Sequence, residues 1–242
     1  MNRLLQLFAD NRAANKAVRG QSRLVAAGDE ATLYIYEAIV ADDATAEWWG
    51  GVSAQSLAPQ IRAITARTLH LRINSPGGDV FAAQAIAQAI RDTKARVVAH
   101  VDGYAASAAT EIAIAADEIE IAEGGFFMIH NAWTIMMGNS AELRAEADLL
   151  DSLDAEIVRD YQSKTGKTEQ QLQDWMKAET WFNADQAKEN GFVDSVIETT
   201  ANPSNRWNLA AYSNVPKDLI EPARPNRAML ERRLQLLEAC SA

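Results

Sequence analysis

Cysteine, histidine and long hydrophobic runs are all scarce in this chain. Cys240 is the single cysteine among 242 residues. Neither a disulfide framework nor a cysteine-built metal site can form within one chain, and the composition fits a reducing compartment. No apolar run approaches the roughly 18–20 residues that a membrane helix needs. Met1 to Phe8 is too short and poorly flanked for a signal peptide. Basic charge is also sparse, with 23 Lys and Arg against 33 Asp and Glu, a net charge of −10. The deficit is concentrated: residues 31–200 hold 12 basic and 26 acidic side chains. A phosphate backbone needs a basic surface, so nucleic-acid binding by this middle region is excluded. The two ends are mildly basic and read as appendages.

What remains is an ordinary globular composition, 48% hydrophobic and 23% charged. Ala31 to Tyr36 alternates and is rich in strand formers. Residues 41–50 are turn-like, and Val52 to Ala66 is expected to be helical. Leu69 to Ile73 alternates again and enters the turn Pro76-Gly77-Gly78. Asp79 to Asp92 places Val80, Ala83, Ile86 and Ile90 on one helical face. Val97 to Val101 is expected as a strand feeding Gly103, followed by an Ala-rich helix from about Ser107 to Ala115. Strands follow at Glu118 to Ala122 and Phe126 to His130. The pattern predicts an α/β fold with right-handed crossovers.

A long helix is expected from Ser140, with Asn139 and Glu142 as a capping box and Gly166 as its stop. Leu143, Ala147, Leu150, Leu153, Ile157 and Tyr161 follow its period. A short helix after Thr168, another from Asn183 to Asn190, and a strand from Phe192 to Ile197 complete the middle. The expected organisation is an N-terminal extension or propeptide at 1–30, a main domain at 31–199, and a tail at 200–242 with a small helix at 226–238.

Ser107 sits among tiny residues at a strand–turn–helix junction, where helix N–H groups can meet an oxyanion. Of the three histidines, His70 and His100 lie inside strands without evident partners and are read as structural. His130 ends a strand and is the candidate base. Gly77 and Gly78 permit close backbone approach with an N–H to donate. No Lys-Ser/Thr follows them, which excludes a phosphate loop. A donor turn, a hydroxyl nucleophile and a base are the parts of an acyl-transfer site.

The runs Ile73 to Gly78, Gly103 to Ala109 and Met128-Ile129-His130 closely resemble the Clp protease proteolytic subunit (ClpP) family. More narrowly, they resemble its phage-encoded head-maturation (prohead) branch. Lys164-Thr165-Gly166, Ala184 to Ala187 and Gly191 to Asp194 match in order, and Arg206 to Tyr212 is similar to the tails of phage members. The resemblance implies a ClpP/crotonase-like spiral of βαβ units with a long handle helix. It implies a serine endopeptidase with Ser107 as nucleophile, His130 as base, and Gly78 and Ala108 as oxyanion donors. Asn131 to Gly138 matches the strand that pairs with substrate. The third member is usually aspartate, and the matching position holds Glu179, with Asp174 as the nearby substitute. No metal or cofactor is implied. Implied partners are protein substrates, a homo-oligomeric ring able to stack as two heptamers, and an unfoldase of unknown identity. The implied setting is the bacterial cytoplasm or a phage procapsid, with scaffold or capsid precursors as substrates. The alternatives are a Ser–Lys peptidase like the signal-peptide peptidases, an acyl-CoA enzyme of the same superfold, and an inactive structural ring protein.

Overall fold

A computed structural model describes residues 24–198, 209 and 212–220. The first 23 residues and the helix expected at 226–238 lie outside them. Among the described residues, ten strands and eight helices alternate along the chain. Eight strands form one sheet in the order β1 (Leu24–Ala27), β2 (Glu30–Ile35), β5 (Thr68–Ser75), β6 (Arg96–Ala106), β7 (Glu118–Ala122) and β10 (Ser195–Ile197). Strand β8 (Phe126–Ile129) pairs with β6 and with β9 (Thr180–Asn183). Neighbours from β2 to β10 are parallel, while β1 and β9 run antiparallel to their partners. Residues 24–27, expected in the N-terminal extension, therefore form part of the sheet.

Strand β6 is a fork. Its first half, Val98 to Val101, pairs with β7, and Tyr104 to Ala106 pair with β8. The strand therefore runs through Gly103 to Ala106 rather than stopping at Val101, because a second partner takes over its hydrogen bonds. The carboxyl ends of β5, β6 and β8 converge, which is where open parallel sheets place their sites.

Helix α1 (Asp43–Trp49) occupies the stretch expected as turns. Asp42 caps it by accepting from the Thr45 amide at 2.7 Å, and Gly50 ends it at φ 82°. Helix α2 (Ala54–Arg62) is shorter than the expected Val52 to Ala66. Ser53 caps it, and Val52–Ser53 form strand β4, paired with β3 (Ile39–Val40). The helix stops early because the chain must turn into β5, where the Arg67 and Thr68 amides bond Asp29 O. Helix α3 (Val80–Asp92) buries Ala82, Ala83, Ile86, Ala87, Ala89 and Ile90. Fully burying each such isoleucine contributes roughly 1.5–3 kcal/mol.

Helix α4 (Ala108–Ala113) is also shorter than expected, since Ser107 is outside helical geometry. Helix α5 (Ser140–Thr165) has the expected capping box and Gly166 in the left-handed region. Helices α6 (Glu169–Lys177) and α7 (Ala184–Glu189) follow, and a turn at Lys217–Ile220 forms α8. Only Ser195–Ile197 of the expected last strand is in the ladder. Phe192 and Val193 are core residues instead, with Phe192 against Phe127, Tyr161, Trp175 and Phe182.

Residues 131–139 are not a strand. Among the described residues they have no ladder partner, and the Ala132 amide is taken up by Asp154 at 2.7 Å. His70 and His100 also differ from expectation in having partners. His70 Nδ1 lies 3.0 Å from His100 Nε2, and His100 Nδ1 lies 2.8 Å from Glu120. Alongside them, Arg72 pairs with Asp102, which also accepts from the Tyr36 hydroxyl.

Candidate active site

Ser107 follows β6 directly and precedes α4. Its backbone is at φ 54° and ψ −128°. Among the described residues, the non-glycine positions with positive φ are Ser107 and Glu179, the latter at φ 49°. Such a conformation costs on the order of 1–3 kcal/mol and persists only when its surroundings over-determine it. Around Ser107 they do. Its amide donates to Met128 O at 2.9 Å, and its carbonyl accepts from the Thr110 amide at 2.8 Å and Thr110 Oγ1 at 2.5 Å. Thr110 Oγ1 in turn lies 2.5 Å from the Tyr161 hydroxyl of α5.

The Pro76-Gly77-Gly78 turn presses on this corner. A Cβ at Gly77 would stand 2.5 Å from Ala106 O and 2.9 Å from Ser107 Cβ. A Cβ at Gly78 would meet Ile39 O at 2.0 Å. Both glycines have positive φ, so close approach and backbone conformation demand the same residue. The Gly77 amide bonds Ser75 Oγ at 3.2 Å. Among the described residues, the amides of Gly78 and Ala108 have no hydrogen-bond acceptor. Ala108 is the first residue of its helix, where an unpartnered N–H is intrinsic.

His130 follows β8, whose parallel register with β6 sets Ala106 against Met128. That register brings His130 Nε2 to 2.7 Å from Ser107 Oγ. Burial lowers the His130 pKa to about 4, against the opposing pull of the Glu179 carboxylate. The ring is therefore neutral at physiological pH. The antiparallel β8–β9 ladder ends with Ile129 opposite Thr180, so its next step brings His130 and Glu179 together. Yet the carboxylate of Glu179 is not hydrogen-bonded to the ring. It accepts from the amides of Ser213 at 2.9 Å and Asn214 at 2.6 Å, and from Trp181 Nε1 at 3.4 Å. Asp174, the substitute acid, lies on α6 and accepts from Gln170 at 3.0 Å in an exposed pair.

The structure thus gathers Ser107, His130, Gly77 and Gly78, Ala108 and Glu179 into one corner. Tyr212 joins them without any signal in the local sequence. Its ring packs edge-on against His130 at 5.3 Å and Trp181 at 5.8 Å, and its hydroxyl donates to Pro76 O at 2.5 Å. For a Ser–Lys pair, Lys94 is badly placed: it precedes β6 while Ser107 follows it. Eleven strand residues put them roughly 35 Å apart. Among the described residues, no cluster of three or more His, Cys, Asp or Glu is placed to hold a metal, and no helix is long and apolar enough to cross a membrane.

Comparisons with known proteins bear on the family and the fold. The family model described as Clp protease matches residues 49–200. The ATP-dependent Clp protease proteolytic subunit 1 of Streptomyces avermitilis is 32% identical over 154 residues, covering 61% of this chain and 71% of the relative. Subunit 3 of the same protease in Rhodococcus jostii is 28% identical over 154 residues, covering 62% and 73%. Among solved structures, a ClpP1 point mutant from Listeria monocytogenes has a TM-score of 0.59 at 25% identity, covering 70% of this chain and 92% of its own.

Proposed function

The chain belongs to the Clp protease family and is a serine-type endopeptidase, and from that premise we propose which residues carry the reaction. Ser107 Oγ attacks the scissile carbonyl while His130 Nε2 takes its proton. The amides of Gly78 and Ala108 receive the developing oxyanion. His130 then returns the proton to the leaving amine, leaving an acyl-enzyme that water hydrolyses by the same steps in reverse. Glu179 is assigned to stabilise the imidazolium and fix its tautomer once its carboxylate turns to Nδ1.

One observation carries this assignment. The 2.7 Å Ser107–His130 contact lies beside two unengaged amides, at a serine whose backbone is strained. Strain of this kind needs a reason, and exposing a nucleophile is one. The test is fluorophosphonate labelling, with the adduct mapped by mass spectrometry, alongside turnover of an unfolded polypeptide. Wild type should label at Ser107. Ser107→Ala should lose turnover while its melting temperature stays within a few degrees, because the change is small. Retained turnover would overturn the assignment, and absence of both labelling and polypeptide turnover in wild type would favour a structural ring protein.

The relatives are named as proteolytic subunits, and this chain exposes Trp133, Ile135, Met136 and Met137 beside Leu143 and Leu149 of α5. Exposed apolar side chains of this number suit burial against further copies. We therefore place the chain in a homo-oligomeric ring, with stacked heptamers as the specific form. The narrower biological role is processing of phage scaffold or capsid precursors in a bacterial cytoplasm or procapsid. That role rests on the resemblance of the motifs and tail to phage members. Co-expression with neighbouring genes, comparing wild type with Ser107→Ala by mass spectrometry, identifies the substrate.

A further inference from the structure

We infer that tail residues Leu209 and Tyr212 to Val215 are a built-in occupant of the substrate cleft, holding the free chain latent until an incoming polypeptide displaces them. This rests on the reading of Ser107 and His130 as the reacting pair. Three sets of contacts point to it, and each engages a different part of the site.

The first is the glycine turn beside the nucleophile. The Tyr212 hydroxyl donates to Pro76 O, one residue before the glycine that packs on Ser107. The second is the base. The Tyr212 ring packs edge-on against the His130 imidazole at 5.3 Å, so the tail lies on the group that must take the Ser107 proton. The third is the acid. The amides of Ser213 and Asn214 bind both carboxylate oxygens of Glu179, and Asn214 Nδ2 donates to Ala178 O at 2.7 Å. Glu179 is thereby held by the tail.

The seat itself is apolar. Leu209 is buried with Tyr104, Ala106 and Met128, and Trp181 and Tyr212 pack on the same cluster. A seat that accepts this segment also suits other polypeptides with spaced apolar side chains. The tail is covalently attached, so its effective concentration is high and a weak seat suffices.

The experiment uses the full chain as wild type, Tyr212→Ala and Tyr212→Phe. One readout is the rate of fluorophosphonate labelling at Ser107. The other is the rate of diethyl pyrocarbonate modification at His130, with His70 and His100 as internal references for an intact sheet. Tyr212→Ala should label at Ser107 at least tenfold faster and modify at His130 several-fold faster. Tyr212→Phe, which keeps the ring and loses its hydrogen bond to Pro76 O, should show a smaller gain at Ser107. If His130 is modified equally fast in all three proteins, the tail is no cover and the inference falls. If His130 opens while Ser107 labels no faster, the tail does not restrain reactivity and latency falls. If His130 opens and Ser107 is inert in every protein, the occupied cleft stands and the nucleophile assignment falls.

Discussion

Ser107 and Glu179 share a positive φ, but the molecule holds them in opposite ways. Ser107 is fixed by the core: Gly77 presses on it, Met128 accepts its amide, and Thr110 links it to Tyr161 of the long helix. Glu179 owes its position to the end of the β8–β9 ladder, while its carboxylate answers to residues more than thirty positions later in the chain. The nucleophile corner is thus a property of the fold. The acid corner is a property of the fold together with whatever the tail is doing. A site with one preset and one adjustable end can be switched without unfolding anything.

The largest effect that tests this contrast is Glu179→Gln. Placed in a Tyr212→Ala background, so that the tail does not mask it, it should lower kcat by about 10³-fold, because an amide cannot stabilise imidazolium as a carboxylate does. Asp174→Asn should change kcat by less than about twofold, a surface pair being worth little. A more damaging Asp174→Asn would move the acid to α6 and dissolve the contrast. Next is Gly77→Ala. Its methyl group must displace Ala106 O or Ser107 Cβ, and a shift of about 1 Å at a nucleophile can cost roughly 10²-fold. Steady-state kinetics should show that loss together with a lower melting temperature. Near-normal activity would show that the nucleophile corner is adjustable too.

The smallest effect concerns the ground beneath Ser107. Glu111 of α4 is buried, and burial first, then the nearby Asp160 carboxylate, raises its pKa from near 4.5 to about 8. Between those values the unfolded chain has released a proton that the folded chain retains. Stability therefore falls as pH rises across this window, and the contribution is fully lost above pH 8. Glu111→Gln removes the fall. Relative to wild type it should gain on the order of 2 kcal/mol between pH 5 and pH 8, read from denaturant curves at each pH. Parallel pH profiles would mean that the nucleophile corner carries no such load.

The parts that were legible in sequence are those whose cause is local. The capping box at Asn139 and Glu142, the period of α5 and the Gly166 stop are written within a few residues of where they act. So are the glycine turn and the small residues flanking Ser107. The misjudged parts have distant causes. Strand β6 runs past Gly103 because β8 is there to receive it. His70 and His100 find each other only when β5 and β6 align. Helix α1 is short, exposed and dependent on one aspartate cap, so its residues read as turns. The placement of Glu179 opposite His130 follows from strand register, and that of Tyr212 from tail docking. Neither leaves a periodic mark. The tail drew attention through its resemblance to other tails, which said nothing of where it sits.

The hydrogen bonds of helix α5 have a mechanical consequence. Its 26 residues form a rod of about 39 Å. Tyr161, toward the carboxyl end, grips the turn that carries Ser107, and Asp154, a little more than halfway along, grips Asn131 and Ala132 just beyond His130. The amino-terminal half projects with exposed leucines. It is a lever with both loads beyond its midpoint. Torque applied where another molecule would lean on it reaches the hydroxyl and the imidazole together, so the two should drift out of alignment or into it as a pair.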